Sequence, residues 1–410
     1  MSIWNLLPEK EALMETAETW TGIPVLPVNN HIHTPHSFSA FSSVEEAVRL
    51  ARAEGVRILG VNDFNGVDAY GDFERACLRE GLFPLFNIEL IGIHSADQKA
   101  GVRVNDPGNP GRIYISGKGL AHPSRLSGES RAVLDAIVAE SNRQVEEMTG
   151  KLNRWLRDKG LSIELVREDL LRSGAGKLLR ERHVARALRV RMEEVFETDA
   201  QWRTGMKTVF GGVEPGSDRD RAAEVENELR SRLLKAGAPA FVPEDERAFL
   251  PLDRILSLIR EAGGIPTYPL LLDGTGGEPT EFESDPDSLF HALQDRGFRS
   301  VEFIPHRNRP EMLRKYAGMF YERGFVVTFG TEHNTSAPGP MTVECKGGIP
   351  LEPDMARIGF LGAAALAGHQ YLIARGASST DSVSRNELED VGRAVLGTFF
   401  QTLTRLKTQP

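Results

Sequence analysis

The stretch NNHIHTPHSFSAF, residues 29–41, follows the apolar run IPVLPV and places three imidazoles, His31, His33 and His36, within six positions. In an extended chain alternate side chains point the same way, so His31 and His33 project together from the end of a strand. The C-terminal ends of strands are where a parallel α/β barrel gathers its functional groups. A loop that is merely rich in histidine is the competing explanation. The two part company on whether acids and imidazoles recur at the ends of other strands.

Working outward, the chain repeats strand, helix, strand. SVEEAVRLARAEG after the opening stretch has a serine start and a glycine stop, and the apolar run VRILGVN at 56–62 follows it. DFERACLREG at 72–81 then leads into LFPLFNIEL at 82–90. Upstream, residues 7–20 predict an N-terminal helix. Residues 105–123 are turn-rich and predict a short fourth strand that ends at His122. From about 128 to 235 arginine, glutamate, leucine and alanine recur in helical spacing with no alternating run. The alternation resumes with strands expected at 264–268, 299–304 and 325–331 and helices at 251–262, 286–296 and 309–323. These elements predict an α/β fold, a distorted (β/α)7 TIM-like barrel interrupted by a helical insertion. The expected divisions are 1–127 and 246–345 for the two parts of the barrel, 128–245 for the insertion, and 346–410 for a helical region packed on the barrel. The apolar segment 355–377 has the length of a membrane span, but it carries Arg357, His369 and Arg375, which favours a buried helix.

Composition removes several function classes. A chain of 410 residues with 40% hydrophobic residues can bury a full core, and a net charge of -9 argues against a surface that tracks polymeric nucleic acid. Cys77 and Cys345 form no CxxC pair, which fits a reducing compartment and excludes thiolate zinc knuckles. The start of the chain does not read as a signal peptide. A cytoplasmic protein with no membrane partner is expected, and homo-oligomerisation is left open.

Acids and imidazoles do recur. Asn62 and Asp63 end the second expected strand, Glu89 the third and His122 the fourth; Glu302 and His306 lie at a later strand end, and Glu332 and His333 follow the last. A mixed imidazole and carboxylate shell suits zinc, manganese or iron better than calcium. The number of such groups makes two closely spaced ions with a bridging hydroxide conceivable. Asp63 has a second reading as a loop cap, and Glu302 as a partner of Arg299 or Arg307.

Taken in order, HIHT at 31–34, VNDFNG at 61–66, NIEL at 87–90, LAHP at 120–123, VEFI at 301–304 and FGTEHN at 329–334 resemble the PHP (polymerase and histidinol phosphatase) superfamily. The resemblance covers roughly 25–125 and 250–345. It implies a distorted seven-stranded barrel and metal-dependent phosphoester hydrolysis, in which many members use up to three ions. His31 and His33 match the first motif, Glu89 the bridging glutamate, and His122 a further histidine. The family's TDH motif is here Asn62, Asp63 and Phe64, and a later HP motif reads TYP, with Tyr268 in the imidazole's place. The closing Asp-x-His is altered to Glu332 and His333 side by side. The resemblance therefore implies one or two ions of zinc, manganese or iron on His31, His33, Glu89, His122, Glu332 and His333, with Asp63 either completing the shell or orienting an imidazole. His333 is expected either to ligate metal or to protonate the leaving oxygen.

LLRERHVARAL, 178–188, is similar to the R-x-HxA segment in the inserted domain of PHP phosphoesterases that act on small phosphorylated nucleotides. It points to Arg182 and His183 as phosphate contacts from a cap, against the alternative of a solvated arginine face. Arg125 and Lys118, close to LAHP in sequence, are the other expected phosphate ligands, and Arg125 is expected to stabilise charge in catalysis; Tyr268 is left as a substrate contact. The expected function is a metal-dependent hydrolase of a small phosphorylated metabolite. A hydrolase of a non-phosphate substrate and an inactive PHP-like metal- or ligand-binding protein are the alternatives.

Overall fold

A computed structural model describes residues 2–17, 23–172, 174, 176–274, 277–335 and 337–408. The barrel strands are β1 (Val28–Ile32), β2 (Ile58–Phe64), β3 (Phe83–Ile93), β4 (Arg112–Lys118), β6 (Ile265–Leu270), β7 (Ser300–Phe303) and β8 (Val326–Phe329), while β5 (Leu250–Pro251) only extends the edge of β3. Neighbours run β1-β2-β3-β4-β6-β7-β8. A parallel bridge between Ile32 and Glu332 brings the chain after β8 back to β1, so the barrel is nearly closed. Gly330 permits that closure: a Cβ there would lie 2.2 Å from the Cβ of His31.

One strand departs from the expected polarity. β4 is antiparallel to both β3 and β6, with Glu89 opposite Ser116 and Lys118 opposite Ile265. The end of β4 therefore lies at the bottom of the barrel, beside the start of β6. The expected fourth strand ends at Lys118, four residues before His122.

The helices follow from local sequence. Ser43 accepts a hydrogen bond from the Glu46 amide at 3.1 Å and starts the helix Val44–Ala53, and Gly55, at φ +85°, lets the chain leave it. Lys10–Ala17 is helical, whereas the last three residues of the expected 7–20 helix lie outside the described residues. Among the described residues no strand occurs between 119 and 249. That region folds as α-helices, including Gly128–Asp158, Glu181–Val195, Asp199–Val209 and Ala222–Leu229, around its own apolar cluster of Leu152, Leu156, Leu188, Met192, Trp202 and Met206. Pro353–Ala374 packs on β8 and on the last helix, Arg385–Thr408. Gly392 lets the two helices touch, since a Cβ there would lie 1.7 Å from the carbonyl oxygen of Ala364. No described helix is long and apolar enough to cross a membrane.

Candidate metal centre

His31, His33 and Glu89 come together at the top of the barrel, all three buried. The His31 and His33 Nε2 atoms are 3.1 Å apart, and Glu89 Oε2 lies 3.5 Å from the first and 3.2 Å from the second. A tetrahedral ion with bonds of about 2.0–2.1 Å has its ligand atoms about 3.3 Å apart. The three edges of this triangle bracket that value. Glu89 Oε2 is also a buried oxygen without a directed hydrogen bond. Such an atom, aimed between two imidazole nitrogens, fits a divalent cation. The cluster can coordinate one.

Each imidazole is held from behind. The Nδ1 of His33 is 3.1 Å from Ser37 Oγ, and that hydroxyl donates to Asp63 Oδ1 at 2.7 Å. Asp63 also accepts from the amide and hydroxyl of Thr34, at 2.7 and 2.6 Å. The carboxylate thus shapes the 34–37 turn and, through Ser37, fixes the proton of His33 on Nδ1 and leaves Nε2 as the donor to a metal. His31 Nδ1 faces Glu302 Oε2 at 3.1 Å, and Glu302 accepts in addition from Ser116 Oγ at 2.9 Å and from the buried Lys118 ammonium. Asn62 lies against the His31 ring and donates to Ser116 at 3.2 Å.

These contacts set the charges. Burial pulls the His31 pKa down, but the Glu302 carboxylate and the nearby Glu89 carboxylate more than offset it and raise it to about 9. Burial pushes Glu302 up, while Lys118 and His31 bring it down to about 2. Glu89 likewise resists its burial and falls to about 2, through its contacts with His31 and His33. Lys118 is lowered, chiefly by burial, against the pull of Glu302.

Above the cluster opens a cavity of about 270 Å³, lined by His31, Glu89 and Phe64 and by five cations, Arg180, Arg182, Arg230, Lys235 and Arg307. Four of the five come from the insertion. Arg180 precedes the helix Glu181–Val195 in extended conformation, so its side chain and that of Arg182 both reach the cavity wall. Glu181 bridges to Arg230 at 3.0 Å and to Lys235 at 3.3 Å, and Arg307 pairs with Asp273 at 2.9 Å. Among the described residues, no carboxylate lies within ion-pair distance of Arg182, whose pKa burial and then Arg230 push down to about 10. His183 accepts from the Arg180 amide at 3.0 Å and packs edge-on against Phe38; burial and Arg186 lower its pKa to about 3, so it is neutral.

Other expected site residues lie elsewhere. His122 packs on Phe86 and Tyr70 at the bottom of the barrel, with Glu74 3.5 Å from its Nε2. Arg125 caps the end of the helix Pro353–Ala374 through the carbonyls of Ile373 and Ala377. Both follow β4, whose reversal carries them away from the cluster. Lys118 is inside the barrel beneath His31 rather than on the cavity wall. Tyr268 points outward from β6 and donates to Glu283 at 3.0 Å, while its neighbour Pro269 faces the cavity. Both ring nitrogens of His333 are engaged, by Thr331 Oγ1 at 2.7 Å and the Gly339 carbonyl at 3.0 Å. Glu332 lines the cavity 3.7 Å from Arg307, and His36, the third imidazole of the opening stretch, is not in the cluster. Sequence reasoning missed Arg180, Arg230, Lys235 and Arg307 as cavity groups. Only the LLRER segment carried a signal for the first.

No protein-family model matches the chain, and no curated protein matches it by sequence. Among solved structures it is similar to a "putative metal-dependent phosphoesterase" from Bifidobacterium adolescentis, with a TM-score of 0.54 and 16% identity over 82% of this chain and 96% of the other. It is also similar to an amidohydrolase from Chromobacterium violaceum, solved with bound sulfate and no metal, with a TM-score of 0.50 and 14% identity over 81% and 96%. At these identities the likeness speaks for the fold. The chain shares with these structures a near-closed seven-stranded α/β barrel, in which His31, His33 and Glu89 form a buried cluster able to hold a divalent metal ion.

Proposed function

We propose that this protein is a metal-dependent hydrolase of a small phosphorylated metabolite, with His31, His33 and Glu89 holding zinc, manganese or iron. One observation carries the reading: the buried cluster and five cations face the same cavity, and Arg182 there has no counter-ion within ion-pair distance among the described residues. A divalent ion, when bound, supplies Lewis acidity toward a phosphoryl oxygen and acidifies water. The residues of the chain do the rest. Arg180, Arg182, Arg230 and Lys235 bind and orient the anion, and planar guanidinium groups match two phosphoryl oxygens at once. The helical insertion, taken as residues 128–245, acts as a cap that brings these cations and limits water around the reacting group. Asp63 and Glu302 act through His33 and His31 as positioning residues. Two buried, unbridged cysteines favour a cytoplasmic setting.

A second reading, a binding protein without turnover, draws on Phe64, whose ring stacks 5.0 Å from that of His33 on the cavity side. A third, hydrolysis of a non-phosphate substrate, draws on the amidohydrolase among the similar structures, but a neutral substrate gives the cations no role. A screen of small phosphomonoesters with metal-loaded and chelator-treated protein separates the three. We expect hydrolysis that chelation abolishes and metal restores, and that Arg182→Met lowers by ten-fold or more in kcat/KM. Binding of inorganic phosphate without hydrolysis of any ester would move the binding reading forward. Hydrolysis of a neutral amide or ester that Arg182→Met leaves unchanged would replace the phosphate reading.

A further inference from the structure

We propose that the barrel holds a single divalent ion, the lower of the one or two that the sequence resemblance implied. The inference rests on the metal reading of His31, His33 and Glu89 and fixes its stoichiometry. Two-ion hydrolases place their ions about 3.5–4 Å apart and share them over bridging and flanking acid or imidazole donors. Here Glu332, 3.7 Å from Arg307 on the cavity wall, stands outside the convergent cluster, and the donors packed around the two imidazoles are already engaged. Both oxygens of Asp63 are taken by Thr34 and Ser37. Glu302 is surrounded by His31, Ser116 and Lys118, and it faces Nδ1 of His31, the nitrogen turned away from the cluster. His333 uses both ring nitrogens within its own loop.

The space beside the cluster is filled by groups that cannot ligate or that repel. Phe64 stacks on His33, and Tyr114 meets Phe64 edge-on at 6.5 Å, its phenol held protonated by burial and the Asp106 charge. Arg180 stands over the Phe64 ring at 5.5 Å. With the Arg180 guanidinium above, a second dication would meet positive charge, and of the carboxylates that line the cavity only Glu89 converges on the cluster. Among the described residues, no other set of three His, Cys, Asp or Glu donors converges. Three protein donors and an open cavity face match a one-ion catalytic site, in which the fourth position is left to water or substrate.

The test uses the untagged full chain, stripped with chelator, loaded with Zn²⁺ or Mn²⁺ in separate runs and freed of unbound metal. Elemental analysis should give one ion per chain, and Mn²⁺ EPR a six-line signal of an isolated ion. Glu89→Gln, checked by its melting curve, should lose the ion. Two ions per chain, or the broadened multiline signal of coupled Mn²⁺, overturns the single-ion inference while leaving the metal reading intact. No ion after loading, or an ion that Glu89→Gln retains, overturns both.

Discussion

Glu302 sits behind His31 and makes metal binding depend on pH in a way that can be measured. In the metal-free protein the His31 pKa is raised to about 9, burial working against it and Glu302 outweighing burial. With Nδ1 turned to Glu302, the proton that must leave for a metal to enter is the one on Nε2. At pH 7 that proton is bound with two pH units to spare, a competition of about 100-fold in apparent affinity, or about 2.7 kcal/mol. Between pH 7.5 and 9 the apparent affinity for Mn²⁺ should therefore rise about ten-fold per pH unit, and calorimetry in buffers of different ionisation enthalpy should show about one proton released at pH 7.5. The perturbation is Glu302→Gln combined with Lys118→Met, which removes both charges of the pair and strands neither. Without the Glu302 carboxylate, burial is opposed only by Glu89 and the His31 pKa falls, so the slope above pH 7.5 should flatten. Equal slopes in the two proteins, or no slope in the parent, would refute the reasoning. The same shift has a sign for stability. A histidine whose folded pKa exceeds its unfolded one stabilises fully below about pH 6.5 and loses that contribution as pH rises through about 9. Metal-free parent protein should therefore weaken over that window in the presence of chelator.

Lys118→Met alone removes one of the two charged partners of Glu302, leaving His31 and Ser116, and should destabilise metal-free protein by up to about 3 kcal/mol, visible as a lower urea midpoint that adding Glu302→Gln partly restores; an unchanged midpoint would count against the buried pair. Glu283 is buried, and desolvation, only partly opposed by Leu271, Tyr268 and Thr280, lifts its pKa to about 7. A raised carboxyl binds more protons folded than unfolded, so the parent should lose stability between about pH 4.5 and pH 7, by up to about 3 kcal/mol. Glu283→Gln should be more stable than the parent at pH 8 and indistinguishable from it at pH 4; a variant weaker at pH 8 would show that the charge is needed there.

The legible part of the site was the part written in local pattern. His31 and His33 share one side of the chain by the two-residue repeat, and Glu89 lies within β3, opposite Phe64 in the register that pairs β3 with β2. Strand polarity is not local. RIYISGK alternates equally well in either direction, and the long connection from Ile93 to Arg112 leaves both open. Once β4 is reversed, every residue assigned to the top of the barrel through it moves: Lys118 goes beneath His31, and His122 and Arg125 go to the bottom. Tyr268 fails for a different reason, parity. On β6 it is Pro269 that faces the cavity, so a residue aligned by its neighbour's proline points outward. Arg230 and Lys235 were out of reach because nothing in the helical spacing of the insertion says which face meets the barrel.

The charge balance joins these observations. The barrel contributes few free carboxylates to the cluster, because Asp63 is spent on the 34–37 turn and Glu302 on Lys118 and His31. A site with one metal-facing carboxylate suits one ion, and one ion leaves a doubly charged phosphoryl group only partly neutralised. The insertion supplies what is lacking. Arg180, Arg182, Arg230 and Lys235 enter the same cavity, where Glu181 bridges Arg230 and Lys235 and where Asp106 and Glu332 also line the wall. Removing the cations of the 180–235 region should therefore weaken anion binding while leaving metal content untouched.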